Sequence, residues 1–249
     1  MVNSSTARPE WDVVRELIRG RGPLTVLTGA GASAESGVPT FRGAGGLWRE
    51  RDVMSLATPE AFREDPRLVW EFYQYRRREV ATCAPNDGHL ALARHQSRHA
   101  DTWIITQNVD GLNRAAGSTE RLIEMHGSLW WTRCTSCGLR VYNDDLGFDT
   151  PPRCSACCGM VRPDIVWFGE GFHEGVIESI VALLARGGTM LIVGTSGAVY
   201  PAAGFAAAAR AQGAVTVEIN LEASFIADDM DYVLRAPSGE VLPYLLTEP

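Results

Sequence analysis

The chain has 249 residues, a formal net charge of -7, 45% hydrophobic residues and six cysteines. That charge argues against a general nucleic-acid binder, which needs a basic surface to neutralise phosphates, and no apolar run nears the ~20 residues that span a bilayer. All 23 basic residues are arginine, so neither a Schiff-base lysine nor a phosphate-loop lysine can operate here.

The N-terminal MVNSSTARPEW lacks a basic region followed by an apolar one; no secretory signal is expected, and the cytoplasm is the expected compartment. From Pro9 to Arg19 the spacing of Val13, Val14, Leu17 and Ile18 predicts a helix ended by Gly20. Leu24 to Leu27 predicts a short buried strand, emptying into Gly29-Ala30-Gly31-Ala32-Ser33. Residues 44–85 are strongly helical in the middle, at PRLVWEFYQYRRREV, with no strand. Helices are then expected at Gly88 to His99, His173 to Arg186 and Pro201 to Gln212. Short β-branched strands are expected at Thr102 to Thr106, Thr189 to Val193 and Val215 to Ile219.

Strands alternating with helices predict an α/β fold, a Rossmann-like doubly wound parallel sheet whose strand-end loops share one edge. Residues 44–85 and 131–162 break the rhythm. The expected division is a discontinuous sheet domain, residues 1–43, 86–130 and 163–249, with a helical insertion and a cysteine-rich module forming a smaller inserted domain.

Cys134-x2-Cys137 and Cys154-x2-Cys157 stand sixteen residues apart. That spacing fits a zinc ribbon, with Zn²⁺ held by four thiolates and no open position for catalysis. Cys158 adjoins Cys157 and is expected to stand aside. The stretch Trp131 to Ile165 holds four Arg and four Asp, a neutral surface unsuited to reading DNA.

The glycine-rich turn suits a diphosphate at a helix start, although plain turns use the same residues. His126 has the right basicity for proton transfer, yet a lone histidine also serves as a structural group or metal ligand. Asp110 could simply cap the helix that follows it. Tyr73 and Arg76 share a helix face at i and i+3, but Arg76-Arg77-Arg78 also reads as a solvated basic turn balanced by Glu71 and Glu79.

Seven blocks together resemble the sirtuins, NAD-dependent protein lysine deacylases, over nearly the whole chain. They are GAGASAESGVPTFRG (Gly29 to Gly43), TQNVDGL (Thr106 to Leu112), Met125-His126-Gly127, the two cysteine pairs, VRPDIVWFGE (Val161 to Glu170), Gly194-Thr195-Ser196 and Asn220-Leu221-Glu222. The resemblance implies that NAD is consumed as co-substrate, with cofactor-binding residues Gly29, Ala30, Gly31, Ala32, Ser33, Glu35, Phe41, Arg42, Gln107, Asn108, Val109, Asp110, Gly194, Thr195, Ser196, Asn220, Leu221, Glu222 and Ser238. His126 is implied as general base toward the ribose hydroxyls, and Asn108 as the holder of a ribose hydroxyl or water. Phe41 and Arg42 are implied to cover the cofactor. The acyl oxygen of a substrate lysine would attack the ribose, releasing nicotinamide and ending in O-acyl-ADP-ribose.

The class III branch of the family has a Tyr-x2-Arg pair at the place of Tyr73 and Arg76, for the carboxylate of succinyl- or malonyl-lysine. Ala57 matches the small residue that widens that pocket, and Thr40 agrees with the branch. The expected partners are acylated-lysine proteins, without nucleic acid or membrane, and a monomer is the default. Two other readings use the same residues: mono-ADP-ribosyl transfer to protein, and a non-catalytic NAD-sensing module. O-acyl-ADP-ribose separates deacylation from the first, and nicotinamide release with an acyl peptide separates it from the second.

Overall fold

Leu24–Thr28 (LTVLT) is buried at all five positions, as a strand covered on both faces must be. It is β1, the middle of the sheet. The computed structural model describes residues 8–20, 22–39, 47–48, 51–147 and 151–247. The expected residues Thr40, Phe41 and Arg42 lie outside them.

Before β1 comes α1 (Pro9–Gly20), and after it the short α2 (Ala30–Ala34). The first insertion holds a two-stranded hairpin, β2 (Leu47–Trp48) and β3 (Arg51–Asp52), then α3 (Val53–Leu56), α4 (Pro59–Glu64) and α5 (Pro66–Ala81). Proline in the first turn starts both α4 and α5, where its missing N–H costs nothing. The Thr58 and Asp65 side chains cap them, accepting from the Ala61 and Leu68 amides at 3.1 and 2.9 Å. Next come α6 (Asp87–Arg98), β4 (Thr102–Thr106), α7 (Leu112–Ala115) and β5 (Leu122–Glu124). The cysteine module supplies β6 (Gly127–Cys134), β7 (Arg140–Tyr142) and β8 (Val161–Ile165). The chain ends with α8 (Val176–Leu184), β9 (Thr189–Val193), α9 (Phe205–Ala211), β10 (Val215–Ile219), β11 (Tyr232–Leu234) and α10 (Ser238–Leu246).

The main sheet is parallel throughout, in the order β11-β10-β9-β1-β4-β5. The chain starts in the middle, adds β4 and β5 on one side, then returns to add β9, β10 and β11 on the other. Its order reverses between β1 and β9, the place where doubly wound sheets hold ligands. One apolar cluster joins α1, α6 and α10 to one sheet face through Val26, Ile104, Leu191 and Val217. Another joins α8 and α9 to the opposite face through Leu27, Ile105, Met190 and Ile192.

A third cluster binds the two insertions together, including Phe62, Val69, Trp70 and Phe72 with Cys134, Cys154, Val161 and Trp167. The Trp70 indole donates to the Val161 carbonyl at 2.8 Å, so α5 is fastened to the module's own sheet, ordered β7-β6-β8. That sheet runs from Gly127 to Ile165, a few residues beyond 131–162 at each end. No helix among the described residues is long and apolar enough to cross a membrane.

Candidate active site and metal centre

At the switch point two loops meet at backbone distance. The Gly31 amide donates to the Gly194 carbonyl at 2.7 Å, and the Gly29 amide to Val193 O at 2.9 Å. A Cβ on Gly29 would stand 2.8 Å from Gly194 O, and one on Gly194 (φ +61°) would stand 2.2 Å from the Ala32 nitrogen. These glycines therefore let the β1 and β9 loops touch. They meet at the switch point of the sheet, the place where doubly wound folds hold ligands, with short polar side chains alongside.

Those side chains interlock. Asn108 Nδ2 donates to Gly29 O at 2.9 Å and to Ser33 Oγ at 3.0 Å. Gln107 Nε2 donates to Thr195 Oγ1 at 3.1 Å, and Asn220 Nδ2 to Thr195 O at 2.9 Å. Four strand ends, from β1, β4, β9 and β10, are thereby linked. Behind Ser33 stands the buried His89, whose Nε2 lies 3.4 Å from Ser33 Oγ. Asp110 lies one residue before the N-cap of α7, which is Gly111, and its Oδ1 accepts from the Leu112 amide at 2.8 Å. Val109 is buried, and its carbonyl accepts from the Leu129 amide. Glu35 and Ser238 meet each other: the Ser238 hydroxyl and the Gly239 amide donate to Glu35 Oε1 at 2.8 and 2.9 Å, so that carboxylate anchors the start of α10. Ser196 O accepts from the Phe225 amide. Leu221 and Glu222 are exposed beyond β10.

His126 sits in the turn between β5 and β6, half-buried, with Nδ1 2.9 Å from Gln107 O. Its ring stacks with Phe172 at 5.8 Å between centroids. Burial lowers its pKa, and the Gln107 hydrogen bond opposes that in part.

Tyr73 and Arg76 are both buried on α5, not solvated as the basic-turn reading would have them. Burial pushes the Tyr73 phenol up to about 12, so it stays protonated at neutral pH. Burial also lowers Arg76, which the Asp110 charge offsets in part. Ala57 is buried, and its carbonyl takes the Phe168 amide at 3.0 Å. The residue that sequence reasoning missed is Trp167, whose Nε1–H donates to Tyr73 Oη at 2.8 Å. The two lie 94 residues apart, beyond any local spacing rule.

The Sγ atoms of Cys134, Cys137, Cys154 and Cys157 lie within 4.8 Å of one another. Thiolates about 2.3 Å from one tetrahedral centre stand about 3.8 Å apart. The Cys134–Cys157 and Cys137–Cys154 separations are 3.5 and 3.7 Å, so the donor set fits a structural Zn²⁺. The Cys137 and Ser136 amides point at the Cys134 sulfur at 3.5 and 3.4 Å, which favours the thiolate a metal needs. Cys158, exposed and with φ +59°, is not part of the cluster.

One carboxylate gathers the charges of the module's own sheet, with His173 of the segment before α8 beside it. Asp164 is fully buried, and Arg133, Arg140 and His173 approach it at 3.4, 2.6 and 3.4 Å. A surface cavity of about 620 Å³ opens beside β5, α8 and Trp131 and contains none of the expected cofactor residues.

The chain is 47% identical over 241 residues to an NAD-dependent protein deacylase of Pyrococcus furiosus, covering 94% of this chain and 96% of that one. It is 41% identical over 269 residues to the mitochondrial NAD-dependent protein deacylase sirtuin-5 of the dog, covering 96% and 86%. A solved Sir2 homologue in complex with NAD superposes with a TM-score of 0.88 at 38% identity, over 94% of this chain and 92% of that one. The model of the Sir2 family matches residues 29–201, from the first strand-end glycine through the whole metal module to the loop after β9. The chain belongs to the Sir2 family, that of the sirtuins.

Proposed function

We propose that this protein is an NAD-dependent protein lysine deacylase that removes acetyl groups and, through Tyr73 and Arg76, succinyl or malonyl groups. The observation that supports the reading is the hydrogen bond from His126 Nδ1 to Gln107 O, which holds the imidazole next to the end of β4. Bound NAD would supply an electrophilic ribose carbon with nicotinamide as the leaving group.

In this reading His126 Nε2 receives the proton of a ribose hydroxyl, and the Nδ1 bond to Gln107 keeps the ring in the tautomer that can do so. Asn108, already tied to Gly29 O and Ser33 Oγ, orients a ribose hydroxyl or water. The loops of Gly29, Gly31 and Gly194 frame the diphosphate. Arg76 and Tyr73 offer a guanidinium and a phenol to an acyl carboxylate. Zinc has no part in the chemistry, because four thiolates leave it no open position. Residues 44–85 with 131–162 form the small domain in this reading, and the acyl-lysine enters between it and the sheet domain.

The test incubates the full chain with NAD and matched acetyl- and succinyl-lysine peptides, following nicotinamide and O-acyl-ADP-ribose by mass spectrometry. Formation of both products with a shortened peptide mass is the expected result. ADP-ribosylated protein without O-acyl-ADP-ribose, or no nicotinamide release, would overturn it.

A further inference from the structure

The Tyr73 phenol is held from one side. Trp167 donates its indole N–H to Tyr73 Oη, and the two side chains are 2% and 4% exposed. An indole N–H can only donate, so this bond occupies a phenol lone pair and leaves the phenol O–H to find an acceptor elsewhere. Among the described residues that O–H donates to nothing. Arg76, one turn along α5, offers donors only. A buried hydroxyl without an acceptor calls for an explanation. A carboxylate brought by a ligand supplies one, since it accepts at both oxygens and suits a phenol and a guanidinium together.

Trp167 is itself immobilised. The Arg162 guanidinium carbon lies 3.4 Å from its ring centroid, and Arg162 forms two bonds to Glu170 at 2.5 and 2.9 Å. Glu170 also accepts the Trp167 backbone N–H at 3.0 Å, while Phe62 packs 5.3 Å from the indole. The donor therefore holds a fixed direction. Its bond also polarises the phenol O–H, making that a stronger donor in turn.

We propose that Trp167 is the specificity-positioning residue of the acyl pocket: its N–H commits Tyr73 to donating, so the pocket favours an acyl chain ending in a carboxylate over acetyl. The proposal rests on the deacylase reading above.

The test uses the zinc-loaded full chain, NAD, and one peptide sequence carrying acetyl- or succinyl-lysine. Trp167→Phe removes the donor and keeps an aromatic ring. Placing 3-benzothienylalanine at position 167 removes the N–H and keeps the double ring, and it decides the question if the smaller ring destabilises the chain. Loss of one hydrogen bond predicts that succinyl-over-acetyl selectivity in kcat/KM falls about 3- to 10-fold, through the succinyl KM. In a Tyr73→Phe background the same replacements should add nothing, because Trp167 acts through the phenol. Equal losses on both peptides, no loss on either, or an unmodified protein that turns over only the acetyl peptide overturns the proposal and leaves deacylation standing. No nicotinamide release from either peptide overturns both.

Discussion

His126 Nδ1 and the Gln107 carbonyl oxygen are 2.9 Å apart. A carbonyl only accepts, so Nδ1 carries the proton and Nε2 keeps its lone pair. Burial, the larger influence, pushes the ring pKa below 6.5. A depressed pKa means that the competent neutral form persists to lower pH and is lost only as pH falls through the folded value. The acidic limb of kcat/KM for O-acyl-ADP-ribose formation, scanned from about pH 5 to pH 8, should therefore be centred below 6.5. His126→Ala should slow turnover by about 10²–10⁴-fold with NAD affinity largely kept by calorimetry. A limb centred above 6.5, or near-normal turnover in the variant, contradicts the assignment.

Zinc content separates the five module cysteines. Cys134→Ala and Cys154→Ala should each lose the metal and lower the unfolding midpoint, since metal-binding free energy is folding free energy here. Cys158→Ala should retain stoichiometric zinc, because its thiol is outside the cluster. Metal analysis of the three purified variants decides the matter.

Arg76 should read the acyl group by charge. Hydrogen bonds to charged groups are worth roughly 1.5–3 kcal/mol, about 10- to 150-fold. Arg76→Met should thus lower succinyl-over-acetyl selectivity by at least about tenfold, mainly through KM, and Tyr73→Phe by less, since the cation remains. Steady-state kinetics on matched peptides measure this. Equal losses on both substrates would assign Arg76 to supporting α5 instead.

Gly194 should be intolerant of any side chain. Its φ is +61°, and a Cβ there would meet backbone atoms of Ala32 and Gly31 at 2.2 and 2.5 Å, neither of which can step aside. Gly194→Ala should cost roughly 2–4 kcal/mol by urea unfolding and abolish NAD binding. Gly213, at φ +81° with open space around it, should cost only about 1 kcal/mol on the same change.

What the sequence disclosed follows from how its elements are buried. The strands Thr102–Thr106, Thr189–Val193 and Val215–Ile219 have the expected bounds, because each is a short run rich in β-branched residues bounded by polar or small ones. The edge strands β5 and β11 are three residues long and part-exposed, too short for any period. β6 to β8 owe their pairing to the cysteine module more than to alternation, and α10 carries Pro243 inside it. At the site, the cysteines were legible from spacing alone, and the switch-point residues only as blocks. Partners fixed by tertiary approach were not: Trp167 on Tyr73, or His173, Arg133 and Arg140 on Asp164.

The sheet that starts in its middle also sets an order of assembly during synthesis. β1 leaves the ribosome first among the sheet strands, but the switch point needs β9, which follows the last module cysteine. A growing chain thus possesses α5 and all four clustered cysteines while it still lacks half its sheet. Completion comes from the far end, where Tyr244 Oη reaches Asp12 at 2.6 Å and Arg8 pairs with Glu240. The first and last described helices, α1 and α10, are thereby tied together, so the sheet's last-made helix packs against its first-made one.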